Sequence, residues 1–251
     1  MVYTVEHTWK EIAEAGIETA IVPFGAIEQH GHHLPVGTDW IIGDHSGQAL
    51  AEALEEPVLL LPTMPFGNSR EHMAFPGTVT LRPSTLAAVL EDIVESLRHH
   101  GIRTIIVFSA HGGNWILKPT LRELNFKYPE ITVLWADGPL PTEGETVPED
   151  IHAGQGETSV FMHFRPDLVK PRTEAMDSPG IVGQEFNDYV GFDKSTRTGA
   201  WGRPTEATAE RGAEHVGGSI EHRVKYIRWA RARVAELKAQ AGAGPQQKGN
   251  H

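Results

Sequence analysis

One stretch of fifteen residues holds most of the side chains that could do chemistry. It reads GAIEQHGHHLPVGTD, residues 25–39, and contains Glu28, three histidines and Asp39. Glu28 and His30 are separated by one residue, so on an extended segment their side chains point to the same face. Glycine and proline residues between His30 and Asp39 let the chain turn back, so that the Asp39 carboxylate can return to the side chains of Glu28 and His30. The pattern predicts a metal site in which a carboxylate can bridge two ions, whereas any single histidine here could also belong to a solvated loop.

A second motif is FSAHGGN, residues 108–114, in which His111 directly follows an apolar run. Gly112 and Gly113 allow the backbone to approach a ligand closely, and Asn114 could orient a ligand or a substrate. Neither the G-x-G-x-x-G nor the P-loop pattern is present, which disfavours a nucleotide site. The serine of this motif is not in G-x-S-x-G, which disfavours a nucleophilic hydrolase.

A third motif, HAGQGETS, contains His152 and Glu157. Glu157 taken alone is also what the dipole of a helix N-terminus favours. Taken with the other motifs, it completes a set of nitrogen and oxygen ligands without thiolates, which fits Zn²⁺, Mn²⁺ or Fe²⁺. That set is Glu28, His30, Asp39, His111 and Glu157, and it leaves His152 for proton transfer.

The segment PFGNSREHMAFPGTVTL, residues 65–81, is rich in glycine, proline and histidine for a simple connection. Its Glu71 and His72 are candidates for substrate contacts, and solvated side chains are the equal alternative. A similar segment occupies residues 201–212. The Gly/Pro/acid-rich passage after Asp137 is too long for an ordinary connection, and such loops tend to be functional.

Alternating apolar and amphipathic segments must position these motifs. Apolar runs of strand length predict core strands at 19–24, 57–62, 104–110 and 131–137. Helical periodicity predicts helices over 40–54, 84–100, 114–128, 158–164 and 204–240, the last with a break at the VGGS of 216–219. Strands that alternate with helices indicate an α/β fold with a mostly parallel sheet, whose carboxyl ends collect the motifs.

Length and composition limit the number of domains, the possible partners and the location of the protein. The 251 residues suit one domain, placed at 1–240, followed by a disordered tail at 241–251. A formal charge of −11 argues against nucleic acid and anionic membranes as partners, and the lack of cysteine excludes thiolate chemistry. The N-terminus lacks an apolar leader, and no apolar run is long enough to cross a bilayer, so we expect a cytoplasmic protein.

The order E-x-H-G-x-H-L-P-x-x-x-D, A-H-G-G-N and H-A-G-x-x-E-T-S resembles the creatininase family of metal-dependent amidohydrolases. The resemblance implies a three-layer αβα sandwich that assembles as a homohexamer. It also implies two divalent metals per chain, Zn²⁺ first with Mn²⁺ or Fe²⁺ as alternatives, held by the five-residue set with Asp39 bridging. His152, with Glu157, would serve catalysis, and Gly112, Gly113, Asn114, Glu71 and His72 would line the substrate side.

The substrate is less constrained, because the family includes enzymes that open creatinine, deformylate pyrimidine intermediates, trim a redox-cofactor precursor peptide or hydrolyse oxidised inositols. In the family's creatinine enzymes this segment resembles H-Y-E-N, with a glutamate as ligand, whereas this chain has HGGN, so the ligand role moves to Glu157. Those enzymes also have a tryptophan shortly before the loop histidine, and ETVPEDIH has no aromatic residue there. We therefore expect hydrolysis of an amide, lactam or formamide C–N bond in a small, possibly cyclic substrate other than creatinine, through metal-activated water. A mycofactocin-type peptidase, an inositol-derivative hydrolase and an inactive metal-binding scaffold are the alternatives.

Overall fold

A five-stranded parallel sheet forms the centre of the molecule. The computed structural model describes residues 1–138, 150–178, 192–194 and 196–242. The strand order is β1-β3-β2-β4-β5, and every neighbouring pair is parallel. The strands are β1 (Val2–Tyr3), β2 (Thr19–Phe24), β3 (Val58–Leu60), β4 (Thr104–Ser109) and β5 (Thr132–Trp135). The four predicted strands are confirmed, and β1 was missed because two residues are too short to show a period.

Helices cover both faces of this sheet. They are α1 (Trp9–Glu14), α2 (Thr38–Ala53), α3 (Pro83–His99), α4 (Leu117–Lys127), α5 (Gln155–Phe164) and α6 (Ala209–Gly242). The predicted helices are confirmed with shifted ends, while α1 was not predicted. The shifts matter at two places: α2 begins early enough to carry Asp39 in its first turn, and α5 carries Glu157 in its first turn.

The side chains of β2 show how the layers are built. Ala20, Val22 and Phe24 point into a cluster with α3 and α4, whereas Ile21 points into a cluster with α2 and α6. Alternate residues of a strand face opposite sides, so a strand buried on both sides is apolar throughout. All six residues of β2 are buried. The three-layer α/β architecture expected from the sequence is therefore confirmed.

The register between β2 and β4 positions the motifs. The two strands pair over six residues, from Thr19 opposite Thr104 to Phe24 opposite Ser109. Their carboxyl ends are therefore level, and the segments that follow them leave the sheet side by side. This brings the GAIEQHGHH motif next to the AHGGN motif.

The predicted break at residues 216–219 is wrong, because α6 runs without interruption through Gly217 and Gly218. Each glycine costs a helix about 1 kcal/mol relative to alanine. Burial of Val224 and Ile227 against the sheet contributes roughly 1.5–3 kcal/mol each and outweighs that cost. Tertiary packing here overrides local propensity.

Parts of the sequence predictions lie outside the described residues. These are the tail 243–251, most of the passage that precedes His152 at 139–149, and residues 179–191 and 195. The single-domain assignment of 1–240 stays a prediction. Among the helices in the described part of the chain, none has both the length and the apolar character needed to span a bilayer.

We expect Gly217→Ala and Gly218→Ala each to stabilise the protein by about 0.5–1 kcal/mol in urea unfolding. Both positions lie in the helix interior, and an added Cβ would meet no heavy atom within 4 Å. The matched control is Gly212→Ala on the same helix, where the Cβ would collide with the Ser159 carbonyl of α5. Stabilisation at Gly212, or none at Gly217, would contradict the continuous α6.

Candidate metal centre

Five predicted ligands converge at the carboxyl edge of the sheet. Glu28 and His30 follow β2, and His111 follows β4. Asp39 and Glu157 lie in the first turns of α2 and α5, where the helix dipole favours a negative charge. Three separate parts of the chain thus deliver acids and imidazoles to one place.

The Asp39 carboxylate lies between two histidines. Its Oδ1 is 3.1 Å from His30 Nε2, and its Oδ2 is 3.4 Å from His111 Nδ1. His111 Nε2 is also 3.1 Å from Glu28 Oε2, and His30 Nε2 is 3.5 Å from Glu157 Oε1. The two oxygens of Asp39 therefore face different histidines.

Two further histidines complete the cluster. His152 Nδ1 lies 3.7 Å from Glu28 Oε1 and 3.9 Å from Glu157 Oε2. His72 Nε2 lies 3.4 Å from Glu28 Oε1, and its side chain is buried. The structure places His72 inside the cluster and not in solvent, and a substrate contact of His72 stays a prediction. Its neighbour Glu71 is half-buried and reaches toward Gly113.

The donor atoms fit divalent cations. Both carboxylate oxygens of Glu28 and the Oδ2 of Asp39 are buried without a hydrogen-bond partner. Buried carboxylates are costly unless they are paired or coordinate a metal. Three groups have ligand atoms within 4.8 Å of one another: Glu28 with His72 and His152, His30 with His152 and Glu157, and Glu28 with His30 and Asp39. Nitrogen and oxygen ligands of this kind suit Zn²⁺, Mn²⁺ or Fe²⁺.

The electrostatics of Glu28 and His111 show how strongly the acids attract positive charge. Burial works to raise the pKa of Glu28, but the adjacent His111 outweighs it and holds that pKa well below its usual range. Burial works to lower the pKa of His111, but Glu28 raises it to about 10. In the absence of a cation, a proton on His111 partly neutralises the acids, so metal binding must displace that proton.

A second pairing involves His30. Burial opposes its charge, but Asp39 and then Glu157 raise its pKa well above the usual value. Burial raises the pKa of Asp39 to about 7, despite His30. The pKa of Glu157, which burial tends to raise, is lowered to about 2 by His30.

Hydrogen bonds to the backbone orient the imidazoles. His30 Nδ1 is 3.0 Å from the Glu28 carbonyl, His111 Nε2 is 2.8 Å from the Asn68 carbonyl, and His152 Nε2 is 2.8 Å from the Gln29 carbonyl. A carbonyl requires a donor, so each of these nitrogens carries the ring hydrogen. Once a cation displaces the second proton from His30 and His111, the opposite nitrogen of each ring can offer its lone pair to it, an arrangement common among metal ligands.

Asn114 of the HGGN segment holds together the loops that surround His111. The Asn114 amide donates to the Gly25 carbonyl at 3.0 Å and to Ser109 Oγ at 3.0 Å, and it accepts the Asn68 N–H at 2.8 Å. Both amide hydrogens are used within the protein, so Asn114 fastens three loops together. Sequence reasoning missed Asn68, whose only signal is a polar residue within an unusual loop.

The two predicted substrate-side glycines differ in their surroundings. A side chain at Gly112 would meet no atom within 4 Å, whereas one at Gly113 would collide with the His111 ring, the Asn68 carbonyl and Glu71. Gly113 is therefore required for close packing beneath His111. Whether either glycine contacts substrate stays a prediction.

We expect Gly113→Ala to lower metal affinity roughly 10–100-fold, because it displaces His111 and the carbonyl that orients that ring. Metal titration of the purified protein measures this. Gly112→Ala is the matched control, since its side chain enters open space, and its affinity should equal that of the wild type. Equal behaviour of the two variants would show that Gly113 does not support the centre.

Fold and site together define an α/β protein with a buried carboxylate–imidazole centre of the type found in metal-dependent hydrolases. The chain matches the creatininase (creatinine amidohydrolase) family over residues 5–227. It therefore belongs to the creatininase family of hydrolases.

Two curated relatives illustrate the range of this family. The chain is 30% identical to a mycofactocin precursor peptide peptidase from Mycolicibacterium smegmatis, across 85% of this chain and 86% of that protein. It is 29% identical to a creatinine amidohydrolase from Pseudomonas putida, across 67% and 74% of the two chains. Family membership is thus shared by proteins named for different substrates.

Solved structures confirm the fold. A putative creatinine amidohydrolase from Bacteroides fragilis superposes with a TM-score of 0.73 at 30% identity, covering 88% of this chain and 93% of that one. A manganese form of creatininase gives a TM-score of 0.74 at 25% identity, covering 92% and 99%. A mutant creatininase of Zn–Zn type is also similar, so both metals occur among the structural relatives.

Proposed function

We propose that this protein is a metal-dependent amidohydrolase that cleaves a C–N bond of an amide, lactam or formamide. The observation that supports this is the pair of buried carboxylates, Glu28 and Asp39. Three of their four oxygens, both of Glu28 and Oδ2 of Asp39, have no hydrogen-bond partner, while histidine nitrogens surround them. Such an arrangement is costly in a protein that binds no cation.

Two divalent metals, with Zn²⁺ first and Mn²⁺ or Fe²⁺ as alternatives, complete the proposal. The residues that would hold them are Glu28, His30, Asp39, His111 and Glu157. When bound, such metals lower the pKa of water toward ~7 and polarise a carbonyl, so that hydrolysis needs no serine or cysteine nucleophile. The absence of cysteine and of a serine elbow motif agrees with this chemistry.

His152 is proposed to move the proton. Its Nε2 is held by the Gln29 carbonyl, so its Nδ1 lone pair faces the cluster. Burial lowers the pKa of His152, which keeps the ring neutral and able to accept a proton. From that position it can pass the proton to the leaving nitrogen, a step worth roughly 10²–10⁴ in rate.

A cavity between Glu157 and α6 has the size of a small-molecule site. This cavity of about 340 Å³ opens next to Glu157 and is lined also by Asp150, His215 and Arg223. This volume lies at the lower end of the range for small-molecule sites, roughly 300–1,000 Å³. The precursor peptide peptidase among the relatives supports a second candidate, the trimming of a peptide end.

Metal content tests the centre itself. We expect about two metals per wild-type chain by elemental analysis and their loss in Asp39→Asn, because a bridging carboxylate serves both ions. Asp44→Asn, on the exposed side of the same helix, is the matched control and should keep both. An Asp39→Asn protein with full metal content would refute the bridging assignment.

Turnover tests the reaction. The metal-loaded protein should hydrolyse at least one member of a panel of lactams, formamides, short peptides and oxidised inositols, measured by product mass. His152→Ala should lose roughly 10²–10⁴ in kcat while keeping its metals. The control is His32→Ala, at an exposed histidine of the 25–39 stretch, which should leave kcat unchanged.

The panel also separates the alternatives. Cleavage confined to peptides would favour the peptidase. Cleavage confined to oxidised inositols would favour the inositol-derivative hydrolase. A metal-loaded protein inactive on every member would favour a non-catalytic scaffold.

Assembly and location belong to the same proposal. We place the protein in the cytoplasm as a homohexamer acting on a small molecule. Large apolar side chains that are exposed in the single chain, among them Trp9 and Phe126, support an assembly that would cover them.

A further inference from the structure

Gln29 lies between two of the proposed metal ligands, and its side chain turns away from both of them into a network of its own. Its Oε1 accepts the Gly31 N–H at 2.9 Å, and its Nε2 donates to the Gly199 carbonyl at 3.0 Å. A backbone N–H can only donate and a carbonyl can only accept. The two ends of the Gln29 amide are therefore fixed, and one Nε2 hydrogen remains for another partner.

Two histidine nitrogens compete for that hydrogen. His72 Nδ1 lies 2.8 Å from Gln29 Nε2, and His152 Nε2 lies 3.1 Å from it. His152 Nε2 is also 2.8 Å from the Gln29 carbonyl, which requires His152 Nε2 to carry a hydrogen. A protonated nitrogen cannot accept, so the remaining amide hydrogen goes to His72 Nδ1.

The two rings consequently present opposite atoms to the acids. His152 has its hydrogen on Nε2 and turns the lone pair of Nδ1 toward Glu28 and Glu157. His72 accepts at Nδ1, so its hydrogen is on Nε2, which lies 3.4 Å from Glu28 Oε1. A nitrogen that bears a hydrogen cannot bind a metal.

Packing holds the rings in these orientations. The His72 and His152 ring centroids are 4.5 Å apart, and the buried Phe192 lies 4.6 Å from the first and 5.1 Å from the second. A ring flip that would exchange the two nitrogens of His72 must therefore displace Phe192 as well as break the bond to Gln29. The arrangement is determined by sterics and hydrogen bonds together.

We propose that Gln29 is a positioning residue that imposes opposite tautomers on His72 and His152. His152 offers a lone pair, whereas His72 points an N–H toward the Glu28 side of the centre, where it can donate to a substrate oxygen, and is not a metal ligand. This assignment separates two histidines that otherwise share the same acid. Its effects on turnover and on metal content rest on the proposed function; the tautomers do not.

Magic-angle-spinning NMR of ¹⁵N-histidine-labelled, Zn²⁺-loaded protein tests the tautomers directly. The His72 signals are assigned by their loss in His72→Gln. We expect an unprotonated Nδ1 on His72 in the wild type and a protonated Nδ1 in Gln29→Glu, because a carboxylate can only accept. Gln48→Glu, an exposed glutamine of α2 that contacts Glu52, is the matched control and should leave His72 unchanged. A protonated Nδ1 in the wild type, or no change in Gln29→Glu, overturns the proposal.

Metal counting provides a second, independent test if Gln29→Glu fails to fold. His72→Gln retains an N–H donor near the Nε2 position, whereas His72→Leu removes it. We expect both variants to keep the wild-type metal content. Loss of a metal from both would show that His72 is a ligand and overturn the assignment.

The two variants should differ in turnover. His72→Leu should lose roughly 10–100-fold in kcat, and His72→Gln should recover part of that loss. Equal kcat in both variants would refute the donor role. A protein that binds no metal would defeat the proposed function, but the same NMR spectra recorded on the metal-free protein would still test the tautomers.

Discussion

The site depends on the burial of two carboxylates, Glu28 and Asp39, which are 0% and 1% exposed. A buried carboxylate loses its hydration, and only opposite charge, hydrogen-bond donors or a cation can replace it. The oxygens here have histidine nitrogens at 3.1–3.7 Å and few hydrogen bonds. The surrounding imidazoles and their backbone anchors are therefore best understood as the parts of a cation site.

The sheet makes that burial possible. β2 and β4 pair in a register that ends level, and their following segments carry the first acid and the HGGN histidine to the same edge. The helices α2 and α5 bring two more acids in their first turns, where the helix dipole partly compensates the negative charge. Each element contributes one or two ligands, so no single segment contains the site.

The ligands of the centre and the HGGN segment beside them follow different constraints. The acids and histidines are fixed by mutual contacts and by backbone carbonyls. Gly113 leaves no room for a side chain, and Glu71 reaches toward that position from another loop. This difference agrees with a family in which proteins with one fold are named for creatinine and for a precursor peptide.

The sequence by itself determined the layer architecture, because strands such as TAIVPF are continuously apolar and alternate with helical periods. It also identified the acids and histidines of three motifs, since their types and spacing suit a metal. Only the tertiary structure decided that α6 continues through Gly217 and Gly218, because long-range burial outweighs a local cost. Only the structure placed His72 inside the cluster and gave Gln29 its partner at Gly199, because contacts between residues far apart in the chain leave no periodic signal in the sequence.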